Sequence, residues 1–238
     1  MKTIFHKASE RGHADHGWLN AHHSFSFAGF YDPSKIHFGV LRVLNDDIVA
    51  PGMGFGKHPH DNMEIITIIL RGALEHADSM GHTEAIRENE VQVMSAGAGV
   101  FHSEYNHNKD KDVNLLQIWI FPNKKNVQPR YDQKVFAAEE RMNQWQNLVS
   151  PIDNDDVGLK IHQDAWISRA NINSGKQLDY QIRRSGNGAY LFVIEGGITV
   201  NGQTLNKRDA IGISETDKIE ITATADSDVL ILDVPMIP

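Results

Sequence analysis

From Phe38 onward the chain alternates short apolar runs with turn-forming residues. FGVLRVL, MEIITIIL, ALEHADS, EAIR, VQVMSAG, FHSEY and NLLQIWIF succeed one another, divided by Arg71-Gly72, Met80-Gly81, Glu88-Asn89 and a Gly97/Gly99 cluster. Runs of this length, rich in β-branched and aromatic residues and bounded by Gly and Asn, predict strands. Many such strands at regular spacing predict a sandwich or barrel. A second series follows a polar break: LKIHQ, WISRANI, LDYQIR, AYLFVIE, ITVNG, DAIGIS, KIEITAT and VLILDV. The break, residues 122–156, holds Pro129, Pro151 and an acidic run from Asp153 to Asp156. Within it, AAEERMNQWQNLV predicts a short helix from Ala137 to Leu148. Residues 1–36 follow neither a helical nor an alternating period. They read as short strands and loops wrapping a barrel mouth.

The two series echo each other. ILRGALEHADSMG and VIEGGITVNG share a strand, a glycine turn, a second strand and a second turn, and NLLQIWIFP resembles SDVLILDVP. The pattern predicts an all-β chain of two barrels with short helical connections, divided as residues 1–135 and 136–238.

Composition narrows the chemistry. At 238 residues, 40% hydrophobic and 23% charged, the chain is long enough and ordinary enough to bury a globular core. A formal charge of −8 argues against nonspecific nucleic-acid binding. No stretch approaches the ~20 apolar residues of a membrane span, and MKTIFHKASERGH lacks the apolar centre of a signal peptide. A cytoplasmic protein with no membrane and no direct nucleic-acid partner is expected. The absence of cysteine rules out disulfides and thiolate ligands. Any metal must sit among nitrogen and oxygen donors, which suit iron, cobalt, nickel, copper, manganese or zinc.

The histidines point to where that metal would be. Twelve of the 13 precede residue 108, and His162 alone follows. In an extended GMGFGKHPHDNMEIITIILRG, residues two apart share a face, so His58 and His60 present both imidazoles to one side. Pro59 turns away, and proline suits a strand's first residue, an edge or a bulge. FHSEYN repeats the geometry with His102 and Glu104. A lone strand histidine is most often structural. Two such pairs in one barrel make a four-ligand site the better reading, because four buried polar groups without partners would cost several kcal/mol. Glu64 stands as an alternative carboxylate, since its parity relative to His60 also points inward. His13, His16, His22 and His23 either line the mouth or cap loops. His76, His82 and His107 read as solvated turn residues, and His162 as structural. Phe25, Phe27, Phe30 and Tyr31 are candidates for an aromatic wall. Setting Gly72 against Gly196 places Ile182 and Arg184 near the positions of His58 and His60, and Ile219 and Ile221 near those of His102 and Glu104. The second barrel keeps the fold and lacks the ligands.

Gly52, His58, His60, Glu64 and Gly72 fit the first motif of cupin barrels, with seven residues rather than the usual six between Glu64 and Gly72, and His102 with Asn106 fits the second. More specific is the joint occurrence of RGHADHGWL, HSFSFAGFYDP, GFGKHPHDNMEIIT, EHADSMGH, GVFHSEYN and LLQIWIFP. Together these resemble the pirin family, in particular its bacterial members with quercetin 2,3-dioxygenase activity. The resemblance is dense through about Pro122 and looser beyond. It implies two cupin (double-stranded β-helix, jelly-roll) barrels with the metal in the first. It also implies the ligand set His58, His60, His102 and Glu104, and iron(II) as the expected ion.

An octahedral ion so held keeps two open positions, and open sites mark catalytic metals. It would lower the pKa of a bound substrate hydroxyl, with Glu104 as the base that takes the proton. The resemblance further implies ring opening of a flavonol by dioxygen with release of carbon monoxide. The competing reading is a non-catalytic, redox-responsive metal protein that regulates a protein partner. A third is a barrel that the ion merely staples.

Overall fold

The computed structural model describes residues 1–237, and in it the regular structure is almost wholly strand. The first series comprises β1 (Lys2–His6), β2 (Gly12–Asp15), β3 (Leu19–His23), β4 (Leu41–Val49), β5 (Gly54–His60), β6 (Glu64–Arg71), β7 (Ala73–Asp78), β8 (Thr83–Arg87), β9 (Glu90–Ser95), β10 (Val100–Asn106), β11 (Val113–Ile120) and β12 (Arg130–Val135). The second comprises β13 (Gln146–Pro151), β14 (Leu159–Ile161), β15 (Trp166–Ile172), β16 (Gln177–Gln181), β17 (Asn187–Glu195), β18 (Gly197–Val200), β19 (Gln203–Asn206), β20 (Ala210–Ser214), β21 (Lys218–Ala223) and β22 (Ser227–Pro235). A seven-stranded sheet ordered β12-β9-β6-β11-β4-β3-β2 faces a four-stranded sheet ordered β5-β10-β7-β8. The same plan recurs as β1-β20-β17-β22-β15-β13-β14 against β16-β21-β18-β19.

The period-two pattern explains how these sheets stack. On β6, Ile66 and Ile68 join a core shared with Leu230, Leu232, Tyr190 and Phe192 of the second barrel. Ile69, on the opposite face, packs inside the first barrel with Leu74 and Ile86. Each large sheet therefore buries both faces, one within its own barrel and one against the other large sheet. The strands accordingly read as near-continuous apolar runs. Inside the second barrel, Leu191, Val193, Ile198, Ile219, Ile221 and Ile231 fill the space with hydrocarbon.

Both glycines used to align the halves do the same work. Gly72 (φ 87°) and Gly196 (φ 80°) sit in left-handed turns. A Cβ there would come within 2.9 Å of the Asp112 carbonyl oxygen and 2.3 Å of the Asp226 carbonyl oxygen, respectively.

Two segments differ from the sequence expectation. In place of a helix over Ala137–Leu148 there is one 3-10 turn, Ala138–Arg141, after which the chain extends into β13. The turn ends at Met142, whose backbone is extended, and Asn143 follows with a left-handed φ of 55°. Leu148 and Val149 then pack into the core between the barrels, so tertiary burial overrides a local helical preference. The N-terminal residues do more than wrap a mouth. β1 pairs with β20 along Lys2–His6 and becomes an edge of the second large sheet, the place that β12 holds beside β9 in the first. The N-terminus thus completes the distal barrel. No helix among the described residues is long and apolar enough to cross a membrane.

Candidate metal centre

β5 is an edge strand, and Pro59 lies on it exposed, where its missing N–H costs no ladder bond. Its pairing with β10 sets His102 opposite His58 and then Glu104 opposite Phe55, so β5 carries an extra residue at Gly56-Lys57. A bulge of this kind bends the strand and re-aims its side chains. The Gly56 carbonyl accepts a hydrogen bond of 2.7 Å from His58 Nδ1. A carbonyl only accepts, so the proton is fixed on Nδ1 and Nε2 is left free as a ligand atom.

The three imidazoles converge. Ring centroids are 4.4 Å apart for His58 and His102, and 4.9 Å for both His58–His60 and His60–His102. One ligand-capable nitrogen from each lies within 4.8 Å of the other two. Glu104 falls outside that triangle but forms a second one with His102 and His76. His102 is 1% exposed, yet neither of its ring nitrogens has a hydrogen-bond partner in the protein. An orphaned buried imidazole is costly. A divalent ion is the partner this donor set fits. Burial, with the charges of neighbouring histidines, lowers the pKa of His60 to about 4 and of His102 to about 2. Both rings are therefore neutral, the form a metal needs.

Glu104 is held from the large sheet. Gln117 Nε2 donates to its Oε2 at 3.0 Å, and the Thr67 hydroxyl lies 3.1 Å from Gln117 Oε1 and 3.5 Å from Glu104 Oε1. Burial raises the Glu104 carboxyl to about 7. Gln117 and Thr67 belong to a buried polar row that crosses the sheet in register: Gln92, Thr67, Gln117, Asn45 and His23. Sequence reasoning missed this row. Its signal was present as a polar residue at an inward position of each apolar strand.

Glu64 lies elsewhere. It is buried on the outer face of β6 beside Ile66, accepts a 2.7 Å bond from Ser95 Oγ, and approaches the backbone of His162 in the second barrel. Its parity relative to His60 does not carry across the turn at Asn62, whose left-handed φ of 45° breaks the extended run. Glu64→Gln is expected to retain one ion per chain by elemental analysis, whereas Glu104→Gln loses most of it; the reverse would exchange their roles.

His76 is fully buried on β7 rather than solvated. It contacts Asp78 Oδ2 at 3.2 Å, lies 5.3 Å from the His102 ring and stacks on Tyr131. His82 is half-buried and meets the same carboxylate at 2.9 Å. His107 is exposed. Of the aromatic candidates, Phe27 packs edge-on to Trp119 beside the site. Phe25 is instead in the core between the barrels and Tyr31 points to solvent.

His58, His60, His102 and Glu104 all line one cavity of about 250 Å³, which Phe27 and Trp119 also line. A second cavity of about 500 Å³ adjoins it and is lined by His13, His16, His23 and Phe30. His22 stacks on His13 at 4.6 Å. In the other barrel Ile219 and Ile221 stand where His102 and Glu104 do. Opposite Ile219 is Tyr180, so Tyr180 rather than Ile182 matches His58, because the connection leading to Gly196 is longer. That interior is sealed.

Two cupin barrels, one sealed with hydrocarbon and one gathering three imidazoles and a carboxylate, define a metal-binding two-barrel protein. Residues 4–120 match the Pirin family and residues 147–234 match the quercetinase C-terminal cupin domain. The chain is 44% identical over 229 residues to quercetin 2,3-dioxygenase of Escherichia coli K12, covering 96% of this chain and 97% of that one. It is 40% identical to a pirin-like protein of Caulobacter vibrioides, over 93% and 95% of the two chains. It superposes with a TM-score of 0.92 on the crystal structure of the bacterial pirin YhhW from Escherichia coli in complex with nickel(II), at 42% identity and with 98% and 99% coverage. The protein belongs to the pirin family.

Proposed function

We propose that His58, His60, His102 and Glu104 hold one divalent transition-metal ion, and that the protein opens the heterocyclic ring of a flavonol such as quercetin with dioxygen. The observation that carries this reading is His102, buried with both nitrogens unpartnered between two further imidazoles in a cavity. The quercetin 2,3-dioxygenase name borne by a full-length relative at 44% identity supports it. The nitrogen and oxygen donors accept iron(II), and equally the nickel seen in the related pirin. When bound, such an ion supplies Lewis acidity and open coordination positions.

The chain's own residues do the rest. Glu104, raised to about 7, is poised to take the proton of the flavonol hydroxyl. Gln117 and Thr67 keep its carboxylate oriented. Phe27 and Trp119 form an apolar wall against a planar ring and exclude water. In the overall reaction both atoms of dioxygen enter the ring-opened product, and the carbon bearing the hydroxyl leaves as carbon monoxide. With iron(II)- or nickel(II)-loaded protein in air, the flavonol absorbance is expected to decay with stoichiometric carbon monoxide, and His58→Ala to abolish it. An unchanged rate in His58→Ala, or no decay in the loaded wild type, would overturn the reading.

A further inference from the structure

Asp46 and Asp47 are neighbours on β4 with opposite fates. Asp46 faces the second barrel, where Arg208 Nε lies 2.8 Å and Arg11 Nη1 3.6 Å from its Oδ2. Asp47 turns inward on the same face as Asn45. It is 5% exposed, and its Oδ1 has no hydrogen-bond partner. A carboxyl buried among apolar walls without a partner costs free energy unless something else satisfies it. Asn45 beside it turns its Oδ1 to His23 Nδ1 at 2.9 Å and makes no hydrogen bond to Asp47. Asp47 is left over.

Its position says what would satisfy it. Asp47 lines both the ion-side cavity and the adjoining larger one, and Phe27, Asn45 and Phe55 are likewise shared between the two. These four residues form the boundary between the two cavities. The inner cavity, at about 250 Å³, is smaller than the roughly 300–1,000 Å³ usual for a ligand pocket, and the outer adds about 500 Å³. From the ion side a three-ring ligand can extend past Asp47 into the outer chamber. Beyond it the walls are Leu19, Ala21 and Phe30, flat apolar surface for a ring, with the imidazoles of His13, His16 and His23.

We propose that the outer chamber is the subsite for the pendant ring of the substrate, and that Asp47 is a positioning residue that accepts a hydrogen bond from a phenolic hydroxyl on that ring. The inference rests on the flavonol reading above and adds where selectivity resides. In either protonation state Asp47 keeps an acceptor oxygen. An acceptor already buried favours a hydroxyl-bearing ring over a bare one, because the bare ring leaves it unsatisfied.

The test is binding without turnover. Nickel-loaded protein is titrated calorimetrically under nitrogen with quercetin and with the analogue lacking hydroxyls on the pendant ring. The wild type is expected to prefer quercetin by about tenfold. Asp47→Leu should lose that preference by weakening quercetin alone, with ion content unchanged, and Asp47→Asn, which keeps one acceptor, should restore part of it. If the leucine variant fails to fold, Asp47→Ala gives the same comparison without added bulk. A preference that survives in Asp47→Leu or Asp47→Ala, or an equal loss for both ligands, overturns the assignment, as does failure of the wild type to bind either. Selective binding abolished by the Asp47 change but without turnover in air would leave the subsite standing and remove the ring-opening reading.

Discussion

Replacing His102 with leucine is expected to remove the ion and leave the ion-free fold intact. His102 sits at the centre of the ligand cluster, 4.4 Å and 4.9 Å by ring centroid from its two partners and shared with the cluster that contains Glu104. Its loss leaves two imidazoles on an edge strand and a carboxylate no longer linked to them, and affinity should fall more than the ~10–100-fold typical of losing a mere supporting contact. Most buried polar-to-apolar changes destabilise by breaking a network. Here both ring nitrogens are already without partners, and an unsatisfied buried group costs about 1–3 kcal/mol. The ion-free variant should therefore match or exceed the ion-free wild type in urea denaturation, by up to about that amount. Equilibrium dialysis against nickel(II) and denaturation in the presence of chelator check the two halves separately. Undiminished ion uptake, or a large loss of stability without ion, would show that His102 is a structural residue.

Ion affinity is expected to rise with pH through about 7 and then level off, with Glu104 as the controlling group. The binding form of each ligand is the deprotonated one. His60 and His102 are lowered by burial and by neighbouring histidines, to about 4 and about 2, so at pH 6 they carry no proton to release. Glu104 is shifted the other way, to about 7, by burial that its bonds to Gln117 and Thr67 offset only in part. Below 7 the ion must displace a proton from that carboxyl, so apparent affinity should drop about tenfold per pH unit. Above 7 the carboxyl is already ionised and no further gain follows from it. Competition titration between pH 5.5 and 8.5 should show release of one proton per ion on the acid side. In Glu104→Gln the weaker residual affinity should lose this dependence. A pH dependence that persists unchanged in Glu104→Gln would move the control to the imidazoles.

Much of this was legible in the residues themselves. The paired His58/His60 and His102/Glu104 could be read because a strand repeats every two residues and both pairs lie within single strands. The same rule misled at Glu64, where a left-handed Asn62 intervenes, whereas at His76, which shares the inward face of β7 with Leu74, it holds and the expectation of a solvated turn went against it. The helix expected at Ala137–Leu148 failed because Leu148 and Val149 are recruited into a core assembled from strands on both sides of the chain.

By itself, then, the chain's order of residues determined two β units, the glycine turns that repeat between them and the donor atoms available to an ion, since these depend on local periodicity and side-chain chemistry. Tertiary structure alone decided that the first strand belongs to the far barrel, that Glu64 supports the contact between barrels while Glu104 lines the cavity, and that Asp47 rather than Asp46 faces that cavity. Those outcomes follow from which face of a sheet is covered and by what, and that is settled by strands distant in the chain.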